Sequence, residues 1–103
     1  MTRISFPHRS SSPIVRDKAF VRAWAASRPL CYLRHLGGCE GRIETAHIRR
    51  GSRRSDEAWN LTRLCARHHD HFDGRRYPRI KLWQVVLAKW RHDPQEMNLE
   101  ALR

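Results

Sequence analysis

The spacing of apolar positions predicts a small set of short elements. From Ile14 to Ser27, Phe20 and Trp24 recur at helical spacing behind Pro13, which predicts a helix with both aromatics turned inward. Residues 42–48 alternate apolar with polar and carry β-branched side chains, the mark of a short strand ending near His47. Residues 59–64 can return as a second strand, and Ala66 to Asp73 has the length of a compact helix before Gly74. Beyond Pro78, the positions Ile80, Trp83, Leu87 and Trp90 form one stripe at helical spacing, whose default role is core packing. Asp93-Pro94 ends or kinks that helix, and Met97, Leu99 and Leu102 make a short closing turn or a partner contact.

The pattern is therefore β-loop-β-α between two helices, with no internal repeat. Residues 1–13, holding Pro7, Pro13 and the Ser10-Ser11-Ser12 run, read as an irregular approach. Residues 14–30 form a supporting helix, 31–74 the central unit, and 75–103 a C-terminal helix and tail. Pro29, Gly37-Gly38 and Gly41 make the start of the central unit rich in turns.

Length and charge narrow the function. A chain of 103 residues suits one small domain. It has 21 Lys plus Arg against 10 Asp plus Glu, a formal net charge of +11, and that excess favours a polyanionic partner. No stretch approaches the roughly 18–20 apolar residues of a membrane span, and the first residues lack the apolar core of a secretory signal. A cytoplasmic protein without membrane contact is the expectation. The densest basic cluster, Arg49, Arg50, Arg53 and Arg54, lies in a Gly/Ser-bearing loop, and guanidinium groups match phosphate geometry. The plain alternative is a solvated loop.

Three cysteines cannot pair completely within one chain, so a disulfide framework does not account for them. Cys31, Cys39 and Cys65 together with His68 make a four-ligand set suited to tetrahedral zinc, the last pair standing as Cys65-Ala66-Arg67-His68. Small polar-rich domains gain from such a metal staple. Buried thiols at Cys31 and Cys65, with Cys39 free at the surface, are the alternative.

His68 and His69 face different directions on a helix, which splits the cluster into two jobs. His69 and Asp73, four residues apart, share a face where nitrogen and carboxylate can hold a divalent ion such as Mg²⁺ or Mn²⁺. The same pair also reads as an ordinary intrahelical contact. His47, at a strand end, is the candidate general base, because neutral imidazole accepts a proton near physiological pH. Asn60 can hold loop backbone and fix the distance between His47 and the His69/Asp73 helix. Glu44 falls on the opposite strand face from His47 and is expected to be peripheral. Trp59 reads as a hydrophobic anchor.

The ordered set Cys31, Cys39, Ala46-His47-Ile48, Asn60-Leu61, Leu64-Cys65, His68-His69 and Asp73 resembles the HNH endonucleases, also called His-Me finger nucleases, with their ββα-metal core. It looks particularly like small phage-associated nucleases of recombination regions. The resemblance covers residues 31–74 and implies a small α+β fold, a ββα-metal core with flanking helices and a structural zinc. It also implies that His47 activates water, Asn60 organises the loop and His69 binds the catalytic ion, with Asp73 in place of a second helical histidine. The implied reaction is hydrolysis of DNA phosphodiesters to 5′ phosphate and 3′ hydroxyl, in a bacterial or phage-infected cytoplasm.

One departure stands out. Many such nucleases place Asp or His just before the base histidine as a further ligand, and here that position is Ala46. The ion then depends on His69, Asp73, water and substrate phosphate. An inactive zinc-stabilised DNA-binding relative is one alternative, and an adaptor in a DNA-processing complex, using the Trp83/Trp90 helix or the tail, is another. A homodimer is compatible with each.

Overall fold

The computed structural model describes residues 14–52, 54–74 and 79–102. The irregular approach at 1–13, with Pro13, and the helix start at Pro78 lie outside these residues. So does Arg53.

Helix α1 spans Lys18–Ala26. It starts later than the sequence pattern suggests because the Asp17 side chain accepts the Phe20 amide hydrogen at 3.0 Å, satisfying a first-turn donor. Residues before the cap run extended beside the basic loop, where Val15 O accepts from the Asp56 amide at 2.8 Å. Only one of the two predicted anchors turns inward: Trp24 is buried, whereas Phe20 is exposed.

Strand β1 (Ile43–His47) pairs antiparallel with β2 (Leu61–Cys65), with Glu44 opposite Leu64, Ala46 opposite Thr62 and His47 opposite Leu61. The second strand begins two residues later than predicted, because Ala58–Asn60 form a 3₁₀ turn that carries the Asn60 side chain inward. Helix α2 (Ala66–Asp73) follows β2 directly, capped by the Cys65 thiol. The architecture is thus the expected ββα unit with flanking helices. Leu33, Ile48, Leu61, Leu64, Phe72 and Val85 form its buried centre.

At Gly41 the backbone adopts φ +84°, and a Cβ there would lie 2.6 Å from Ala66 Cβ. Glycine at this point lets the chain before β1 lie against the start of α2.

Helix α3 (Leu82–His92) overturns the predicted core stripe. Ile80 is buried, but Trp83, Leu87 and Trp90 are exposed. The buried face is instead Val85, Ala88 and Lys89, at i, i+3 and i+4. The reason is ionic. Lys89 is fully buried and donates to Asp93 at 3.1 Å and Glu96 at 2.6 Å. Arg28 joins from the other side, 3.3 Å from Asp93 and 2.8 Å from Glu96, and its guanidinium also stacks 4.4 Å over the Trp24 ring. Tyr32 donates its hydroxyl hydrogen to Asp93, and the Trp24 indole donates to Glu96 at 3.2 Å. Hydrophobic periodicity is blind to a lysine whose charge is matched this closely.

Burial alone would push the Asp93 carboxyl up, but its bonds to Tyr32 and Lys89 and the charges of Lys89 and Arg28 hold it below the usual range. Removing Lys89 leaves two carboxylates short of a cation in a closed interior, so Lys89→Ala should cost about 3–5 kcal/mol in urea unfolding. A loss below about 1 kcal/mol would show that Arg28 alone neutralises the cluster. The chain closes with a 3₁₀ turn at Pro94–Glu96 and the short helix α4 (Leu99–Leu102). No helix among the described residues is long and apolar enough to cross a membrane.

Candidate metal centre and nuclease-like site

The cysteines and His68 converge. The ligand atoms of Cys31, Cys39, Cys65 and His68 all lie within 4.8 Å of one another. Cys31 Sγ and Cys39 Sγ stand 3.3 and 3.7 Å from His68 Nδ1. A tetrahedral zinc site has ligand-to-ligand edges of about 3.6–3.8 Å, so these spacings fit the ion. The remaining imidazole nitrogen settles the tautomer: His68 Nε2 donates to Gly37 O at 2.9 Å, which leaves the Nδ1 lone pair directed at the thiols.

Local backbone explains how a wide Cys31–Cys39 interval closes. Arg34–Leu36 turn as a 3₁₀ helix, then Gly37 and Gly38 take φ of 78° and 74°, conformations that L side chains avoid. The knuckle rests on the hairpin through the Tyr32 amide, which donates to Arg63 O at 2.7 Å.

Without an ion the thiols compete for protons. Burial pushes Cys31 up, and burial plus the hydrogen bonds it donates to the Cys65 and Cys31 sulfurs pushes Cys39 to about 12. Cys65 is also buried, but amide hydrogens and the two other thiols hold its proton affinity below the ordinary thiol value. Cys39 is exposed, yet it is part of the cluster rather than a lone surface thiol. The structure therefore carries a buried Cys3His centre able to hold a structural metal.

A second group sits on the exposed side of α2. His69 Nε2 lies 2.9 Å from Asp73 Oδ2, and His69 Nδ1 lies 2.8 Å from Glu44 Oε1. This contact corrects the expectation that Glu44 is peripheral. The decisive relation is between Glu44 and Ala46, which alternation puts on the same face, rather than between Glu44 and His47. Through Glu44, that face meets α2 at His69. The bond from His69 holds the Glu44 carboxyl below its usual range. Across from Ala46, the Thr62 hydroxyl is buried with no partner among the described residues, an unmet polar need on that same face.

Adjacent ligands of an octahedral Mg²⁺ lie about 2.9–3.0 Å apart, so the His69–Asp73 spacing fits such an ion as well as it fits a direct hydrogen bond. A carboxylate on the far ring nitrogen is the usual orienting partner of a metal-bound histidine, and Glu44 occupies that place.

His47 forms a third group, with a partner that sequence reasoning missed. Its Nε2 is 2.7 Å from Asp56 Oδ1. Asp56 is buried and also accepts from the Asp17 amide at 2.8 Å. Burial raises the Asp56 carboxyl, but the bond from His47 and the Asp17 amide hydrogen outweigh it and keep the group ionised. An ionised carboxylate only accepts, so Nε2 carries the hydrogen, and in the neutral ring the lone pair is on Nδ1. The available signal is the acidic pair Asp56-Glu57 at the end of a strongly basic loop.

Asn60 bonds the backbone of the basic loop. Its side chain is fully buried, accepts from the Arg49 amide at 2.6 Å, and donates to Arg49 O at 3.1 Å and Ser55 O at 2.9 Å. Both ends of the loop are thereby tied to the start of β2. Arg16 binds the far side through Arg54 O and, at 3.1 Å, Ser52 O.

The basic cluster is not one uniform surface. Arg50 is committed to α2, pairing with Asp73 Oδ1 at 2.8 Å, donating to Phe72 O at 3.0 Å and lying 4.4 Å over the Phe72 ring. Arg49 reaches Leu102 O at 3.3 Å, and Arg54 is exposed. The structure thus assembles four ligands in one centre and Glu44, His69, Asp73 and Arg50 in a row beside it. It links His47 to Asp56 rather than to that row.

The chain matches no family model, no curated protein and no solved structure. What the structure itself defines is a small ββα fold with a Cys3His cluster, consistent with the His-Me finger class of metal nucleases.

Proposed function

We propose that the protein is a metal-dependent DNA endonuclease of the HNH type. The observation that carries this reading is the Glu44–His69–Asp73 row. It places a carboxylate on the Ala46 face of the hairpin, where the sequence motif lacks one. His69 and Asp73 would hold Mg²⁺ or Mn²⁺, with Glu44 orienting the imidazole. Cys31, Cys39, Cys65 and His68 would hold structural zinc.

The bound divalent ion would supply charge neutralisation at the scissile phosphate. His47 takes a proton from the attacking water at Nδ1, with Asp56 holding the ring from the other side. Asn60 keeps the loop in register with His47. Arg49, Arg53 and Arg54 would dock neighbouring phosphates, and Arg50, now paired with Asp73, would be a further phosphate contact. Residues 31–74 form the catalytic unit, framed by 14–30 and 75–103 and preceded by the approach at 1–13. The resemblance supports a setting in phage-related DNA recombination within a bacterial cytoplasm, with DNA as the partner and a homodimer for paired cuts.

The test is a cleavage panel on linear, supercoiled, nicked and branched DNA with added Mg²⁺ or Mn²⁺. Cutting that requires the added ion and leaves 5′ phosphate supports the proposal. One observation favours a second reading, a zinc-stabilised DNA-binding protein: Arg50 already supplies a cation to Asp73. Salt-dependent binding with no cleavage of any substrate would establish that reading instead.

A further inference from the structure

The exposed stripe on α3 has no role in the zinc centre or in the row along α2. Trp83 is 65% exposed and Trp90 is 55% exposed, with Leu87 between them at i+4. The two indoles lie seven residues apart, so they project from one helix face about 10.5 Å apart along the axis. Beside Trp83 and Leu87 runs a groove whose far wall is His35 and Leu36 of the zinc knuckle, with Arg91 on the helix side. No Asp or Glu lines this groove, and α3 itself contains none.

From this arrangement we propose that the α3 face is a stacking platform for unpaired DNA bases. Flat apolar rings beside cations suit a strand that offers both π-faces and phosphates. Duplex DNA hides its base faces within the stack, so it cannot use the indoles in this way. A second copy of the chain docked through this same face suits it poorly, because α3 carries basic and no acidic residues to offer its like. The indole spacing equals about three stacked base steps of 3.4 Å, enough for a short single-stranded segment at a branch or flap. Arg91 then pairs with a phosphate of that segment.

This inference rests on the nuclease reading only for the choice of DNA, and its test does not use cleavage. Full-length protein with zinc bound is titrated, without added Mg²⁺ or Mn²⁺, into a fluorescein-labelled oligothymidylate of about 12 nucleotides, and into a duplex of equal length. Recovery of intact oligonucleotide on a gel keeps binding separate from turnover. Trp83→Ala and Trp90→Ala should each weaken single-strand binding by about 5- to 100-fold while changing duplex binding by less than about twofold. Arg91→Gln should lower the salt dependence by about 0.7 in the log–log slope.

Single-strand affinity unchanged in both tryptophan variants overturns the proposal. So does an equal loss for duplex and single strand. Sedimentation showing a dimer that Trp83→Ala converts to monomer, with oligonucleotide affinity intact, assigns the face to self-association and also overturns it. If the cleavage panel is blank but these affinities behave as stated, the platform stands and the hydrolytic reading alone falls.

Discussion

Cys65→Ser is expected to lose both bound zinc and the folded state. The parent should carry about one zinc per chain and unfold when a chelator removes it, since apparent zinc binding energies of about 10–16 kcal/mol in small domains exceed the stability of most folds this size. Cys65 is the severe position for a structural reason. It ends β2, caps α2 by accepting the His68 amide at 3.4 Å, and is fully buried between the other thiols. Serine there loses the soft ligand and puts a hydroxyl among sulfurs. Cys39 is exposed, and its replacement should weaken zinc affinity while leaving a chain that still folds at high zinc. Metal analysis with circular dichroism tests both. A Cys65→Ser protein with parental zinc content and melting temperature would remove the structural role of the cluster.

His47→Ala should lower DNA hydrolysis by about 10²–10⁴-fold, the usual contribution of a positioned general base. Zinc content should not change, because His47 contacts Asp56 and not the metal cluster. Asp56→Asn should reduce turnover less. It keeps a partner for Nε2 but replaces a carboxylate that fixes the tautomer with an amide that can either donate or accept. Single-turnover rates at saturating DNA separate the two, since a docking defect raises the DNA concentration needed and a lost base does not. Wild-type cleavage by His47→Ala, with contaminants excluded, would move proton transfer to another group.

The ββα unit is legible because its signals are local: alternation in 42–48, a compact helix after Cys65, and glycines where the knuckle must fold back. The Cys3His cluster is legible because an odd number of thiols beside a histidine at short helical spacing fits a soft metal far better than it fits disulfides. Asp56 is hidden because its link to His47 depends on the path of an irregular loop that Asn60 and Arg16 hold from opposite sides. Glu44 is misplaced when alternation is counted from His47, since the residue that shares its face is Ala46. The α3 stripe fails for a different reason. Its spacing is helical, but which face turns inward is decided by the carboxylates at Asp93 and Glu96, a charge-matching problem that hydrophobic periodicity does not encode.

The ionic cluster that joins the ends of the described fold also bears on the order in which the chain closes. Trp24 meets Glu96 across 72 positions of sequence, whereas Cys31 meets His68 across 37. Closing the longer loop costs about 0.6 kcal/mol more chain entropy by length alone. A metal held by Cys31 and His68 would close the shorter loop at the lower entropy cost, ahead of the pairing of Lys89 with its carboxylates. Such a metal would act on folding speed as well as on stability.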